Sequence, residues 1–278
     1  MYAYSAERSP LPVYGNVVSF LNQNQRPRPR FNVFQDFMAT TTEPIRNVRR
    51  DFHRNRFVYN PSLYNHPGPL LPFITSDSLT VQLLASITER DVRLNQAPLP
   101  AGHQVLRHGD LQRVWKDILQ ESDNFLAEQL LLMVADALFG ELDDEKAIAA
   151  ITKTFLWDLP DAPKWVDGSG LSRHNLVTPR SMIALLQKIE EQMPRRQVLE
   201  LLPKGGVSGT LKFNYAGPRP YVIGKTGTVS NHHSLVGYIR TNQDRYLMFA
   251  FMHNNYMVKA SEVRREMEKV LRFIRDNY

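Results

Sequence analysis

The sequence predicts an α+β fold, and three observations carry the prediction. From about residue 108 onward, apolar residues recur at spacings of three and four, the period of helices packed on one face. After Lys225 the pattern changes to two strands, residues 233–241 (HSLVGYIRT) and 245–254 (RYLMFAFMHN). The chain then closes on an amphipathic helix, residues 261–278, so consecutive strands end in a helix, the order of an antiparallel sheet with a helix across it.

In chain order, the first hundred residues are irregular and rich in Pro, Asn and Arg. "YGNVVSFLNQNQ" reads as a strand running into a loop, and "QRPRPRF" holds too much proline for a central strand. "IRNVRRDFHRNRFVYN" reads as two exposed strands or a hairpin. Val48, Arg50, Phe52, Arg54, Arg56 and Val58 share one face, and Arg49, His53 and Phe57 the other. Basic residues among aromatics suit single-stranded nucleic acid, but no RNP-like or zinc motif accompanies them. A solvated, arginine-rich sheet edge that resists aggregation is the reading preferred, with no nucleic-acid partner.

The helical part opens with "DLQRVWKDILQES", where Leu111, Val114, Trp115 and Ile118 make one face. "SDNFLAEQLLLMVADALFG" begins on cap-forming residues and stays apolar nearly all round until Gly140, which predicts a helix buried on most sides. "DDEKAIAAITKTFL" is a helix with acids at its start, as the helix dipole favours. "TPRSMIALLQKIEEQM" places Thr178 at the N-cap and Pro179 at the first helical position, with Met182, Leu185, Leu186, Ile189 and Met193 as its buried stripe. The last helix turns Val263, Met267, Val270, Leu271 and Ile274 to one side. There is no internal repeat.

At 278 residues the chain can bury a sizeable core. Its formal charge of +6 and pI near 9.5 suit a polyanionic partner without specifying one. It contains no cysteine, so disulfides and thiolate metal sites are excluded. No apolar run approaches the roughly 20 residues of a membrane span, and the N-terminus lacks the basic start and apolar core of a secretory signal.

The stretch "YVIGKTGTVS" holds a Gly-Lys-Thr that invites a phosphate-binding reading. A P-loop needs a glycine five positions before the Gly-Lys, and Arg219 stands there, with strands rather than a helix downstream. The same residues read as Lys-Thr-Gly predict a Ser-x-Asn at a helix start upstream, and Ser122-Asp123-Asn124 supplies it. In chemistry that opens an amide or β-lactam through a serine, the departing nitrogen must receive a proton. Ser122 can relay that proton, and Asn124 can hold a substrate amide. Lys225 supplies a positive charge for a substrate carboxylate and lowers the pKa of the nearby hydroxyl. Thr226 and Thr228 offer hydroxyls to the same carboxylate, and Gly227 lets the strand edge approach the substrate backbone.

A third stretch, "WVDGSGLSRHNLVTPRSMIALL", resembles a segment of the D-alanyl-D-alanine carboxypeptidase/endopeptidase family, the penicillin-binding protein 4 type enzymes of class C. "LPKGGVSGTL" and "SDNFLAEQLL" resemble the same family, whereas class A β-lactamases share the two tripeptides but lack DGSGLSR. The resemblance implies a penicillin-binding, serine β-lactamase-like core: an antiparallel sheet flanked by helices beside a helical lobe. That core would occupy residues 105–278, after a β-rich remnant of an inserted region over residues 1–104. It implies peptidoglycan peptides ending in D-Ala-D-Ala and β-lactams as ligands, a periplasmic location, and no metal or organic cofactor. It also implies substrate-binding roles for Asp167, Ser172 and Arg173. For Asp167 and Arg173 the residues themselves favour a structural role, as capping or ion-pairing groups. His232, His233 and His253 lack metal-ligand spacing, so surface or core roles are expected of them.

The family's nucleophile is the serine of a Ser-x-x-Lys, and no serine in this sequence is followed three residues later by lysine. The resemblance therefore leads to the expectation of a C-terminal portion that begins inside the inserted region, lacks the nucleophile and the first strands of the core, and exposes one face of its sheet and of the helix after Asn124. Two further readings stay open. One is a non-catalytic module that holds peptide stems through Lys225 and Asn124. The other makes the basic front region an interaction surface.

Overall fold

In the computed structural model, residues 5–98, 100–102, 104 and 109–278 are described. The chain divides into two units, Met1–Arg107 and His108–Tyr278. The boundary expected at residues 104 and 105 touches residues 105–108, which lie outside the described residues.

Among the described residues of the first unit, six short strands precede a helix. They are β1 (Val17–Gln23), β2 (Arg26–Pro29), β3 (Met38–Thr40), β4 (Arg49–Arg50), β5 (Phe57–Tyr59) and β6 (Leu70–Pro72), followed by α1 (Asp77–Thr88). β1 is the centre of one sheet, antiparallel to β2 and β6. β5 is the centre of a second, parallel to β3 and antiparallel to β4. The proline-rich β2 takes a sheet edge, where the N–H that proline lacks is not needed. The segment around Arg50 forms a hairpin, one of the two forms expected, but its strands are mostly not exposed. Its ladder stops at Arg50 and resumes at Phe57, with Asp51 N–H donating to Arg56 O across the turn. Val48 and Phe57 are core residues, and Phe57 meets Phe34 edge-on. Arg50 is buried, while Arg49 pairs with Glu43 and Arg54 with Asp51. Two of the arginines are thus taken by local acids. α1 has no clear signal in the sequence: Ser76 caps it by accepting from Leu79 N–H, and only Leu79 and Leu83 turn fully inward, too weak a period to read.

The second unit holds α2 (Leu111–Leu119), α3 (Asn124–Phe139), α4 (Asp144–Phe155), α5 (Pro179–Gln192), α6 (Arg195–Leu201), β7 (Val222–Val229), β8 (His232–Arg240), β9 (Tyr246–Asn254) and α7 (Ala260–Asn277). The strands form one antiparallel sheet in the order β7-β8-β9. Its two faces follow the period-2 alternation of β8. Leu235 and Ile239 meet Val263, Met267 and Leu271 of α7, while Val236 and Tyr238 meet Leu186 of α5 and Val198 of α6. Gly224 and Gly237 stand opposite each other in the register, and a Cβ on Gly237 would lie 2.2 Å from Ile223 O.

Three packing expectations need correction. α3 is only partly covered: Leu131 and Ala135 meet Ala147 and Ile148 of α4 and Leu132 is buried too, but Met133 is 65% exposed. Apolar residues all round thus overstated its burial. On α5, Leu186 is buried with Met182, Ile189 and Met193 packed beside it, but Leu185 is outside that cluster. On α7, Val270 is exposed because it lies off the stripe of Val263, Met267 and Leu271. Among the described residues no helix is long and apolar enough to cross a membrane.

Candidate active site

Ser122 lies in the short link between α2 and α3, with a left-handed φ of 59°, uncommon for a non-glycine residue. The link is closed by Asp123 N–H donating to Asp117 O, and Asp123 caps α3 by accepting from Leu126 N–H. The middle residue of Ser-Asp-Asn is therefore the architectural one. Asn124 is half-buried in the first turn of α3, and its side-chain amide makes no hydrogen bond among the described residues.

Lys225 extends from β7, whose register opposes it to Val236. Its Nζ donates to Ser122 Oγ at 2.8 Å and to Thr226 O at 2.7 Å, which leaves one of its three protons uncommitted. No ion pair among the described residues includes it, and burial lowers its pKa to about 8. A cation in this state can anchor an anion and can also exchange a proton with the hydroxyl it touches.

β7 is an edge strand. Its outer side is satisfied as far as Gly224, through Gly205 N–H donating to Val222 O and Gly224 N–H to Pro203 O. Alternation turns the main-chain groups of Thr226 and Thr228 the same way, and their N–H groups make no hydrogen bond on that side among the described residues. Gly227 is exposed, and a Cβ there would meet nothing within 4 Å. Neither packing nor backbone strain demands a glycine there, so space beside Lys225 stays open. The Thr226 hydroxyl donates to Thr210 Oγ1 at 2.8 Å, and Thr228 Oγ1 lies 2.7 Å from His233 Nδ1. Both threonine hydroxyls therefore have protein partners as well as any ligand.

The residues of DGSGLSR organise a loop. Asp167 accepts from Gly170 N–H, Ser172 N–H and Asn175 Nδ2 at 2.7 to 2.8 Å. Ser172 Oγ accepts from His174 N–H. Gly168 seats the loop on α3, because a Cβ would stand 2.7 Å from Ala127 O, and Ser169 N–H donates to Glu128. Arg173 donates to Ser230 O and so ties the loop to the β7–β8 turn. Asp167, Ser172 and Arg173 make their hydrogen bonds within the loop and to the β7–β8 turn, whereas Ser122 and Lys225 meet each other directly.

Residues that sequence reasoning passed over also shape the site. Gly209, at φ 56°, would place a Cβ 2.5 Å from Gln120 O, and Thr210 N–H donates to that same carbonyl. The "GGVSGTL" run thus props the end of α2 just before Ser122 and delivers Thr210 to Thr226. His233, expected in a surface or core role, is buried, and its contact with Thr228 is what the sequence did not show. Their signals were the glycine spacing and a histidine in an otherwise apolar strand.

The profile of the D-Ala-D-Ala carboxypeptidase 3 (S13) family matches residues 75–277. The chain belongs to that family. Among curated relatives, this S13 chain is 31% identical over 170 residues to the D-alanyl-D-alanine carboxypeptidase DacB of Haemophilus influenzae, an alignment covering 59% of this chain and 36% of the relative. It is 33% identical over 172 residues to a carboxypeptidase of Mycobacterium tuberculosis, covering 57% of this chain and 37% of the relative. The chain thus spans little more than a third of the curated relatives it matches. Its fold matches the crystal structure of penicillin binding protein 4 (DacB) from Haemophilus influenzae, with a TM-score of 0.66 at 19% identity, over 97% of this chain and 67% of that one. The same protein complexed with a β-lactam gives a TM-score of 0.63 at 20% identity, over 94% of this chain and 68% of that one. The α+β fold and the family expected from DGSGLSR are as the sequence indicated.

Proposed function

We propose that this chain supplies the substrate-holding and proton-transferring wall of a serine-type D-alanyl-D-alanine carboxypeptidase/endopeptidase acting on peptidoglycan stem peptides in the periplasm. The contact between Lys225 and Ser122 carries the reading, since it places a buried cation and a hydroxyl together beside an open strand edge. A peptide ending in D-Ala-D-Ala would pair with the outer edge of β7 over Gly227, its terminal carboxylate toward Lys225 and Thr228, with Thr226 supporting the strand and Asn124 holding a substrate amide. In the acyl transfer, a serine attacks the carbonyl between the two D-alanines and the C–N bond breaks. Ser122 passes its proton to the departing nitrogen and recovers one from Lys225, which is reprotonated by the proton the attacking serine gives up, and water then hydrolyses the ester. β-Lactams would enter by the same route. The sequence contains no Ser-x-x-Lys, so this reading assigns the attacking serine to polypeptide outside these 278 residues.

That same absence favours a second reading, in which the chain holds stem peptides without cleaving them. One experiment separates the two and tests both: titration of the chain with a D-Ala-D-Ala-terminated peptide by calorimetry, with assay of released D-alanine. Binding without release is expected of this chain alone. Truncation of Lys225 to alanine should weaken binding about tenfold or more, as for a lost hydrogen bond to a charged group. Release of D-alanine restored by adding a segment that bears Ser-x-x-Lys would favour the enzyme, and binding that no such segment converts to cleavage would favour the module. No binding overturns both readings, and release by the chain alone overturns the placement of the nucleophile.

A further inference from the structure

His233 stands opposite Thr228 in the β7–β8 register, with its Nδ1 2.7 Å from Thr228 Oγ1. The residue is 1% exposed, and its Nε2 is buried with no hydrogen-bond partner among the described residues. Thr228 faces it from β7, His253 from the opposing position of β9, and Arg264 from α7. Burial, with the charge of Arg264 and the neighbouring His253, lowers its pKa to about 4, so the ring is neutral at ordinary pH.

A neutral imidazole carries its single proton on one nitrogen or the other. A proton on Nε2 would bury an N–H with no acceptor, whereas a proton on Nδ1 leaves only an unused lone pair at Nε2. Orphaned buried N–H groups are the rarer defect, which favours the Nδ1 tautomer. In that tautomer His233 donates and the Thr228 oxygen accepts, so the hydroxyl proton of Thr228 is left for an outside acceptor. The reverse tautomer would consume that proton and leave Thr228 able only to accept.

We propose that His233 is a positioning residue that turns the Thr228 hydroxyl into a dedicated donor and so selects ligands ending in a carboxylate over those ending in a carboxamide. The proposal rests on the peptide-binding reading above. His233 itself touches no ligand and acts through Thr228, which is exposed on the open edge of β7. A carboxylate can give one oxygen to Lys225 and the other to Thr228, both donors, whereas a carboxamide has a single oxygen and must turn its amino group toward one of them, donor against donor.

Two measurements test it. In the first, two-bond proton–nitrogen correlation spectra of nitrogen-15-labelled protein read the tautomer directly. Protonated Nδ1 with bare Nε2 is expected at neutral pH, and protonated Nε2 overturns the proposal. In the second, affinities are compared for D-Ala-D-Ala peptides with a free carboxylate or a terminal carboxamide. His233→Phe should lower the carboxylate-to-carboxamide preference about fivefold or more, Thr228→Val should do the same, and His233→Asn, which keeps an N–H near Nδ1, should retain most of it. An equal loss for both ligands in His233→Phe would reduce the residue to a packing role and overturn the proposal. If the unaltered chain binds neither peptide, the proposed function fails and the selection fails with it, while the tautomer still decides the hydrogen bond. The spectra need no variant, so a variant that does not fold does not block the test.

Discussion

Lys225 and Ser122 are 103 positions apart in the chain, and their side chains meet at 2.8 Å. Folding draws a lysine out of water to make that contact, with no carboxylate ion pair among the described residues to offset the loss. Desolvation is the cause that lowers its pKa to about 8.

The stability of the chain should therefore depend on this one side chain in a defined pH window. The unfolded chain keeps the lysine proton up to the ordinary lysine value of 10.5, while the folded chain releases it near 8. Between those values the unfolded state binds more protons, so stability rises with pH. Below 8 the full desolvation cost is present. Lys225→Met should stabilise the chain at pH 7 by about 1–3 kcal/mol, since each tenfold loss of proton affinity on folding corresponds to ~1.4 kcal/mol and the lost hydrogen bonds offset part of the gain. The gain should shrink as pH rises from 8 to 10.5. Urea denaturation at pH 7 and pH 10 measures both, and a variant less stable at pH 7 contradicts the account.

The same titration should appear in ligand binding with the opposite sign. As Lys225 loses its proton above pH 8, the anchor for a carboxylate disappears and affinity falls. A bound carboxylate raises the lysine pKa, so the midpoint in the complex should lie above that of the free chain. Calorimetry with a D-Ala-D-Ala peptide from pH 6 to pH 10 follows it. An affinity flat across that range would remove Lys225 from the binding site.

Asp167 should act on the loop rather than directly on a ligand. Its carboxylate accepts three hydrogen bonds within residues 170–175, and a hydrogen bond to a charged group contributes about 1.5–3 kcal/mol net of water when buried and less where the group is partly exposed, as here. Asp167→Ala should cost about 2–4 kcal/mol and speed amide exchange at Gly170 and Ser172. Normal stability with lost ligand binding would instead make it a contact residue.

The sheet and its closing helix were legible because burial on both faces leaves a nearly continuous apolar run in β8, and burial on one side writes period 3.6 into α7. Asp123, Thr178 and Pro179 marked helix starts because capping is local chemistry, readable within four residues. α3 misled because an apolar sequence states what could be buried, not what neighbour arrives to bury it. The Arg50 segment is the hairpin expected as one alternative, but its two faces were misassigned because the turn between Arg50 and Phe57 interrupts an alternation that a uniform strand would have continued. In the site, Lys225 and Ser122 carried a motif. Thr210 and His233 carried none, since the first depends on Gly209 closing against Gln120 and the second on cross-strand register.

Two glycines beside the site should respond oppositely to the same methyl group. At Gly209 a Cβ meets Gln120 O at 2.5 Å and the backbone is at φ 56°, so Gly209→Ala combines a clash with an unfavourable conformation. It should destabilise the chain by about 2–3 kcal/mol and push Thr210 away from Thr226. At Gly227 a Cβ meets nothing within 4 Å. Gly227→Ala should change stability by no more than about 0.5 kcal/mol, as for substitutions away from packed features. If the open space over β7 is where a ligand lies, the added methyl occupies it, and peptide affinity should fall about tenfold or more, equivalent to ~1.4 kcal/mol. Thermal denaturation and calorimetry on the two variants give four numbers. A Gly227→Ala chain that is as stable as the parent and binds as well would place the ligand elsewhere.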